Sequence, residues 1–182
     1  MTGGAQVWRM PDLPPGRVLP VVCTPDPVLG MPGEPVDPAA PDIVQLAADL
    51  LATQVVSPGC VGLAAQQVGV ARLVFSVDVS DHPKTRVSHG RFVLCNATVV
   101  SSSRRERGRE GCMSVPDFTG DVARARSLVV RGQLPGSAEW VELETDAFEA
   151  VALQHEIDHT RGLIFLDRVA GAHAVHPRRT YL

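Results

Sequence analysis

A chain of 182 residues, 45% of them hydrophobic, with a net charge of −3, can bury one sizeable core and needs no second domain. The mild acidity excludes a dedicated nucleic-acid (DNA or RNA) binder, no apolar run approaches the ~20 residues of a membrane span, and residues 1–20 lack the continuous apolar stretch of a secretory signal. Cys23, Cys60, Cys95 and Cys112 lie far apart without a C-x-x-C pair, which argues against a disulfide scaffold and for a reducing, cytoplasmic setting.

Residues 1–20 are rich in glycine and proline without periodicity and are expected to form a flexible, ill-ordered arm before a catalytic domain over 21–169. Prolines at 25, 27, 32, 35 and 38 forbid any long helix before residue 39. Ile43, Leu46, Ala47, Leu50 and Leu51 then recur at helical spacing and predict an amphipathic helix over 42–56, its stripe packed on the core. Ser57-Pro58-Gly59 ends it and opens the loop GCVGLAAQQVG. That loop lacks the G-K-[ST] of a phosphate cradle and follows a helix rather than a strand. What it offers is backbone that a ligand can approach closely, and Gln67, whose amide can donate to a developing oxyanion.

Residues 72–79 and 91–101 are rich in β-branched and aromatic side chains and are predicted strands. The charge run RRERGRE at 104–110 reads as a solvated loop, with Glu110 or Arg109 placed to brace the segment around Cys112. Two further strands, 123–134 and 139–145, are expected to form a hairpin around Pro135-Gly136. Strands clustered between two helices define an α+β fold: small antiparallel β-sheets packed around a central metal-binding helix, in a single domain. A short basic tail, 170–182, closes the chain.

The chemistry concentrates in TDAFEAVALQHEIDHTRGLIFLDR, residues 145–168. Asp146 is placed to cap a helix, Glu149 to complete a capping box, and Gly162 to stop it. Positions four apart share a helix face, so His155 and His159 can both aim at one metal ion with Glu156 beside it as a base. Such a catalytic site needs a third protein ligand and an open position. Phe165 stands where a metzincin has its third histidine, and no glutamate follows His159 as a thermolysin-like site requires. His173 and His176 remain in the tail. The upstream Cys112, in Glu110-Gly111-Cys112-Met113-Ser114, is the better candidate, because a thiolate with two imidazoles suits Fe(II) or Zn(II).

Three motifs in order, GCVGLAAQQ (59–67), EGCMS (110–114) and QHEIDH (154–159), resemble those of the peptide deformylases, G-x-G-x-A-A-x-Q, E-G-C-x-S and Q-H-E-x-D-H. The resemblance extends from about Leu19 to Val169. It implies a bacterial, cytoplasmic, monomeric hydrolase of protein biosynthesis that removes the formyl group from the N-terminal methionine of nascent peptides and releases formate. It further implies Cys112, His155 and His159 as metal ligands, Fe2+ as the ion in cells with Zn2+ or Ni2+ in purified protein, and Glu156 as the proton carrier. Gln67 and the Met113 N–H are implied as oxyanion donors. The peptide would lie extended along Val61 and Gly62, and its methionine would enter a pocket near Val151, Ala152 and His155. N-formylmethionyl nascent peptides are thus the expected partners, with a transient ribosome contact. Cys60 departs from the family pattern by replacing its first loop glycine, and so borders the substrate; Ala97 stands where a proline is common. Two other readings stay open. A metallopeptidase would draw its third ligand from His173 or His176, and a structural metal module would close the site with Cys60.

Overall fold

The computed structural model describes residues 9–179, and the first eight residues of the expected arm lie outside them. Two helices and two antiparallel sheets make an α+β fold. The larger sheet has the order β1-β2-β3-β6-β7, from Gly62–Ala64, Val74–Val77, Phe92–Ser102, Ser127–Gln133 and Trp140–Asp146. The smaller has the order β4-β5-β8, from Arg105–Cys112, Val115–Ala125 and Val175–Pro177.

Helix α2, Ala147–Thr160, packs on both sheets. Its Ala150, Leu153 and Ile157 are buried against Phe75, Val77, Phe92 and Leu94 of β2 and β3. Burial of each such large side chain stabilises the fold by ~1.5–3 kcal/mol, so the helix is held as a rigid platform. Helix α1, Pro41–Val56, uses the predicted stripe: Ile43, Leu46, Ala47 and Leu50 pack on Leu63, Val74 and Val93. Residues 9–20 have no regular secondary structure, yet from Arg17 they are tied to α1. The Arg17 N–H donates to Asp49 at 2.8 Å, its guanidinium pairs with Asp49 at 2.7 Å, and the Leu19 N–H donates to Thr53 at 2.9 Å.

Several local expectations are corrected. The 104–110 charge run is not a loop but most of β4; among the described residues it is a sheet edge paired only with β5, where charged side chains face water and discourage pairing with another chain. The single strand expected over 123–134 is two, because the chain leaves one sheet at Ala125 and enters the other at Ser127. No glycine or proline marks that crossing. The GCVGLAAQQVG loop contains β1 and a 3-10 turn, Ala65–Val68, and the tail contributes β8.

At the start of α2, Asp146 makes no side-chain cap. Glu149 closes no capping box either; its carboxylate accepts from Thr145 Oγ1 at 2.6 Å and from the His89 N–H at 2.8 Å. The other end behaves as predicted. Gly162 has φ +76°, and a Cβ there would lie 2.7 Å from the Gly30 carbonyl, so both backbone angle and space require glycine.

Candidate metal centre

The rigid helix and the β4–β5 turn meet at one point. Successive turns of α2 present His155 and His159, and β4 ends in Cys112, which pairs with Val115 across a tight turn after a register shift at Gly111. One potential ligand atom from each of Cys112, His155 and His159 lies within 4.8 Å of the others. Cys112 Sγ is 3.2 Å from His159 Nε2. His155 Nδ1 lies 3.0 Å from Glu110 Oε2, which fixes the ring and leaves Nε2 as the nitrogen with a lone pair to offer. A soft thiolate, two imidazoles and a carboxylate behind one of them form a donor set that fits a transition-metal ion.

Burial alone would raise the Cys112 thiol, but the charge of His159 and hydrogen bonds from both histidines more than offset it and hold the thiol well below its ordinary value. Glu156 is buried with Oε2 unpartnered. Burial pushes this carboxyl up to about 7, against the opposing pull of His155 and His159. A carboxyl poised near neutrality can accept a proton and return it.

Gln67 is no surface amide. It is 2% exposed; its Oε1 accepts from the Ala64 N–H at 3.0 Å, and its Nε2 points to Cys112 Sγ at 3.4 Å and Ser114 Oγ at 3.2 Å. The amide is therefore oriented with its donor end toward the cluster. Val22 N–H donates to the Gln67 carbonyl at 2.8 Å and Thr24 N–H to that of Ser114 at 2.9 Å, so residues 22–24 clamp both sides.

Behind the cluster runs a charge chain, buried except at Arg168, that sequence reasoning largely missed. Glu110, foreseen only as a brace, pairs with Arg124 at 2.7 Å, Arg124 with Asp158 at 2.5 Å, and Asp158 with Arg168 at 2.7 Å. Burial would raise Glu110, yet hydrogen bonds from His155 and Arg124 lower it to about 2. Neither Arg124, in a strand that also carries Asp117 and Asp121, nor Asp158, in a helix with two glutamates, stands out in the sequence; once buried, opposite charges must find one another.

Cys112 and His155 of the cluster floor a cleft of about 350 Å³ that Cys60, Val61, Gly62, Gln67, Met113, Val151 and Ala152 also line. Phe148 joins them, with His82 stacked on it at 3.6 Å between ring centroids. Cys60 turns its thiol to the Gly62 carbonyl at 3.1 Å, and burial together with the neighbouring Glu156 pushes that thiol up to about 12. It does not join the three-residue cluster. Nor do the tail histidines: His176 pairs with Asp121 at 3.0 Å, and His173 is exposed.

A buried H-E-x-x-H helix facing a cysteine, with an oriented amide beside an apolar cleft, defines the class of metal-dependent hydrolases acting on amides. The family described as polypeptide deformylase matches residues 18–174. Peptide deformylase 2 of Vibrio cholerae is 39% identical over 150 residues, which are 82% of this chain and 85% of the relative. Peptide deformylase of Acidobacterium capsulatum is 35% identical over 156 residues, 84% and 87% of the two chains. Among solved structures, the Ehrlichia chaffeensis peptide deformylase superposes with a TM-score of 0.77 at 28% identity, covering 85% of this chain and 89% of that one. A class I type b peptide deformylase from Acinetobacter baumannii, solved with Met-Ala-Ser bound, has a TM-score of 0.76 at 32% identity and covers 84% and 100%. The chain belongs to the polypeptide deformylase family.

Proposed function

We propose that this protein hydrolyses the formamide at the amino end of N-formylmethionyl nascent peptides, releasing formate and a free amine, with Cys112, His155 and His159 as metal ligands. The observation that carries this reading is the Glu156 carboxyl, buried with Oε2 unpartnered beside the Cys/His/His cluster at the end of the cleft. When bound, the ion supplies Lewis acidity and a water of lowered pKa. Glu156 accepts the proton of the attacking water and returns it to the leaving nitrogen. Gln67 Nε2 and the Met113 N–H donate to the oxygen that becomes negative as the formyl carbon turns tetrahedral. Val61 and Gly62 offer the edge of β1 to an extended peptide, and Val151, Ala152 and Phe148 wall the methionine side chain.

The Acinetobacter relative with Met-Ala-Ser in its structure supports a methionyl peptide as the product class. The ion is proposed as Fe(II) in cells, with Zn(II) and Ni(II) accommodated by the same donors. No helix among the described residues is long and apolar enough to cross a membrane, and we place the protein in the cytoplasm, acting as a monomer in transient contact with the ribosome. Protein purified without oxygen should release formate from formyl-Met-Ala-Ser; intact peptide after prolonged incubation with stoichiometrically loaded protein would overturn the proposal.

A further inference from the structure

Where the chain crosses from β5 to β6, helix α2 holds the end of the smaller sheet: Gln154 accepts the Ala125 N–H at 2.9 Å and donates to the Ala125 carbonyl at 2.9 Å. Beside that crossing lies a second cavity, of about 160 Å³. It shares no lining residue with the metal cleft, whose own cations are Lys84, Arg109 and Arg178. Four arginines line the second cavity, Arg105, Arg124, Arg161 and Arg168, and among the described residues its one lining carboxylate is Asp158.

That carboxylate is fully engaged. Asp158 Oδ2 accepts from Arg124 at 2.5 Å and from Arg168 at 3.0 Å, and Oδ1 accepts from Arg168 at 2.7 Å. The buried Arg124 uses three of its five N–H groups, two on Glu110 and one on Asp158, which leaves one N–H on each terminal nitrogen without an acceptor among the described residues. Arg105 and Arg161 have no ion pair among the described residues, and Glu106, the neighbour of Arg105 in β4, is taken by Arg104 and Arg126. Both arginines are directed to the cavity by their place in the fold. Arg105 pairs with Ala125 across β4 and β5, so its side chain leaves the same face of the sheet as those of Ala123 and Ala125, which line the cavity. Arg161, which ends α2, shares a helix face with Asp158, Ile157 and Gln154, which line it too.

We propose that this cavity binds a phosphate group, at a site separate from the metal centre and independent of the deformylase reading. Guanidinium groups match the oxygens of phosphate with paired, charge-assisted hydrogen bonds, and here they come from two sides, Arg105 from β4 and Arg161 from the end of α2, over the spare N–H groups of Arg124. A cavity of this size admits a benzene-sized molecule, so a single tetrahedral oxyanion fits. An anion there also relieves the mutual repulsion of positive charges that one engaged carboxylate does not balance. Because Arg105 and Arg161 are exposed, the affinity is modest and sensitive to salt.

The probe is inorganic phosphate, titrated by calorimetry into the metal-loaded protein with ionic strength held constant by sodium chloride. One phosphate per chain should bind with a Kd on the order of 1 mM, as two or three charge-assisted contacts partly screened by solvent would give. Arg105→Gln and Arg161→Gln should each weaken binding by about three- to ten-fold, and the double Gln variant should remove it. Both side chains are exposed, so the substitutions leave folding intact; if one variant nevertheless fails to fold, the other still decides the matter. Formate release from formyl-Met-Ala-Ser should be the same in these variants as in the unaltered protein, since neither arginine lines the metal cleft. Glycerol 3-phosphate, titrated in the same way, identifies the source of the group: tighter binding than inorganic phosphate assigns a phosphomonoester, and weaker binding assigns the free ion. Absence of saturable binding up to about 20 mM phosphate overturns the inference. So does binding that persists undiminished in the double Gln variant, which would place the phosphate at the metal or on general surface charge. Neither result touches the deformylase reading, which stands on formate release alone.

Discussion

Gly62→Ala tests the link between β1, the proposed substrate strand, and Glu156, the proposed proton carrier. A Cβ at residue 62 would lie 2.5 Å from Glu156 Oε1 and 2.8 Å from both Cδ and Cγ. Ordinary contacts between carbon atoms are ~3.5–4 Å, so the Glu156 side chain or the strand must retreat by about 1 Å. The strand resists, because Gly62 pairs with Val77 of β2, and the helix resists, because Leu153 and Ile157 are buried beneath it. A displacement of this size in a reacting group is worth ~10² in rate, and complete loss of a general base ~10²–10⁴. We expect kcat/KM for formate release to drop by about 10²-fold or more, with stability lowered by ~1–3 kcal/mol from overpacking. Metal content should stay stoichiometric, since Cys112, His155 and His159 are untouched. The assay pairs formate quantification with metal analysis of the same preparation. A folded Gly62→Ala protein with unaltered turnover would refute the reasoning, because it would show that Glu156 has room to move or no task to perform.

Cys112→Ala should lose metal and activity together, as two imidazoles alone hold the ion weakly; stoichiometric metal in an active variant would remove Cys112 from the ligand set. Arg124→Met leaves Glu110 and Asp158 as buried carboxylates stripped of a partner, which should cost ~3–5 kcal/mol in denaturant unfolding and loosen His155; an unfolding midpoint equal to that of the parent would contradict this. The Asp49 carboxyl, which burial would raise, is brought below its ordinary value by Arg17 and Gln45. Its contribution to stability is therefore present above the unfolded pKa of ~4 and is lost as pH falls through the lower folded value. Asp49→Asn should flatten that part of the acid limb of a stability–pH curve, and parallel limbs in the two proteins would exclude the effect. Formyl-Met peptides should exceed formyl-Gly peptides in kcat/KM, the apolar wall gaining ~1–3 kcal/mol from the longer side chain, and equal values would deny a methionine pocket.

The metal helix was legible because its signals are local: a helical repeat, a glycine stop, and two histidines one turn apart. Helix α1 was legible for the same reason. The β4 strand was not, since its charged residues pair with β5 at a sheet edge and their pattern carries no alternation of apolar side chains. The crossing between β5 and β6 was hidden because Arg126 turns the chain from one sheet to the other without a glycine or proline. Within the site, Cys112 could be reasoned out because a ligand was missing, whereas Arg124 and Asp158 could not. Their roles depend on a meeting of residues 34 positions apart that only packing decides. Arg178 escaped notice because a short basic tail gives no sign that it will add a strand beside the cleft.

The central claim is that Glu156 carries the proton in a metal-assisted hydrolysis of the formyl group. Its most direct test is Glu156→Gln, which preserves shape while removing the proton acceptor, assayed for formate release from formyl-Met-Ala-Ser beside a metal determination. The account predicts turnover lower by ~10²–10⁴ with metal content unchanged. Turnover equal to that of the unaltered protein, at equal metal content, would contradict it.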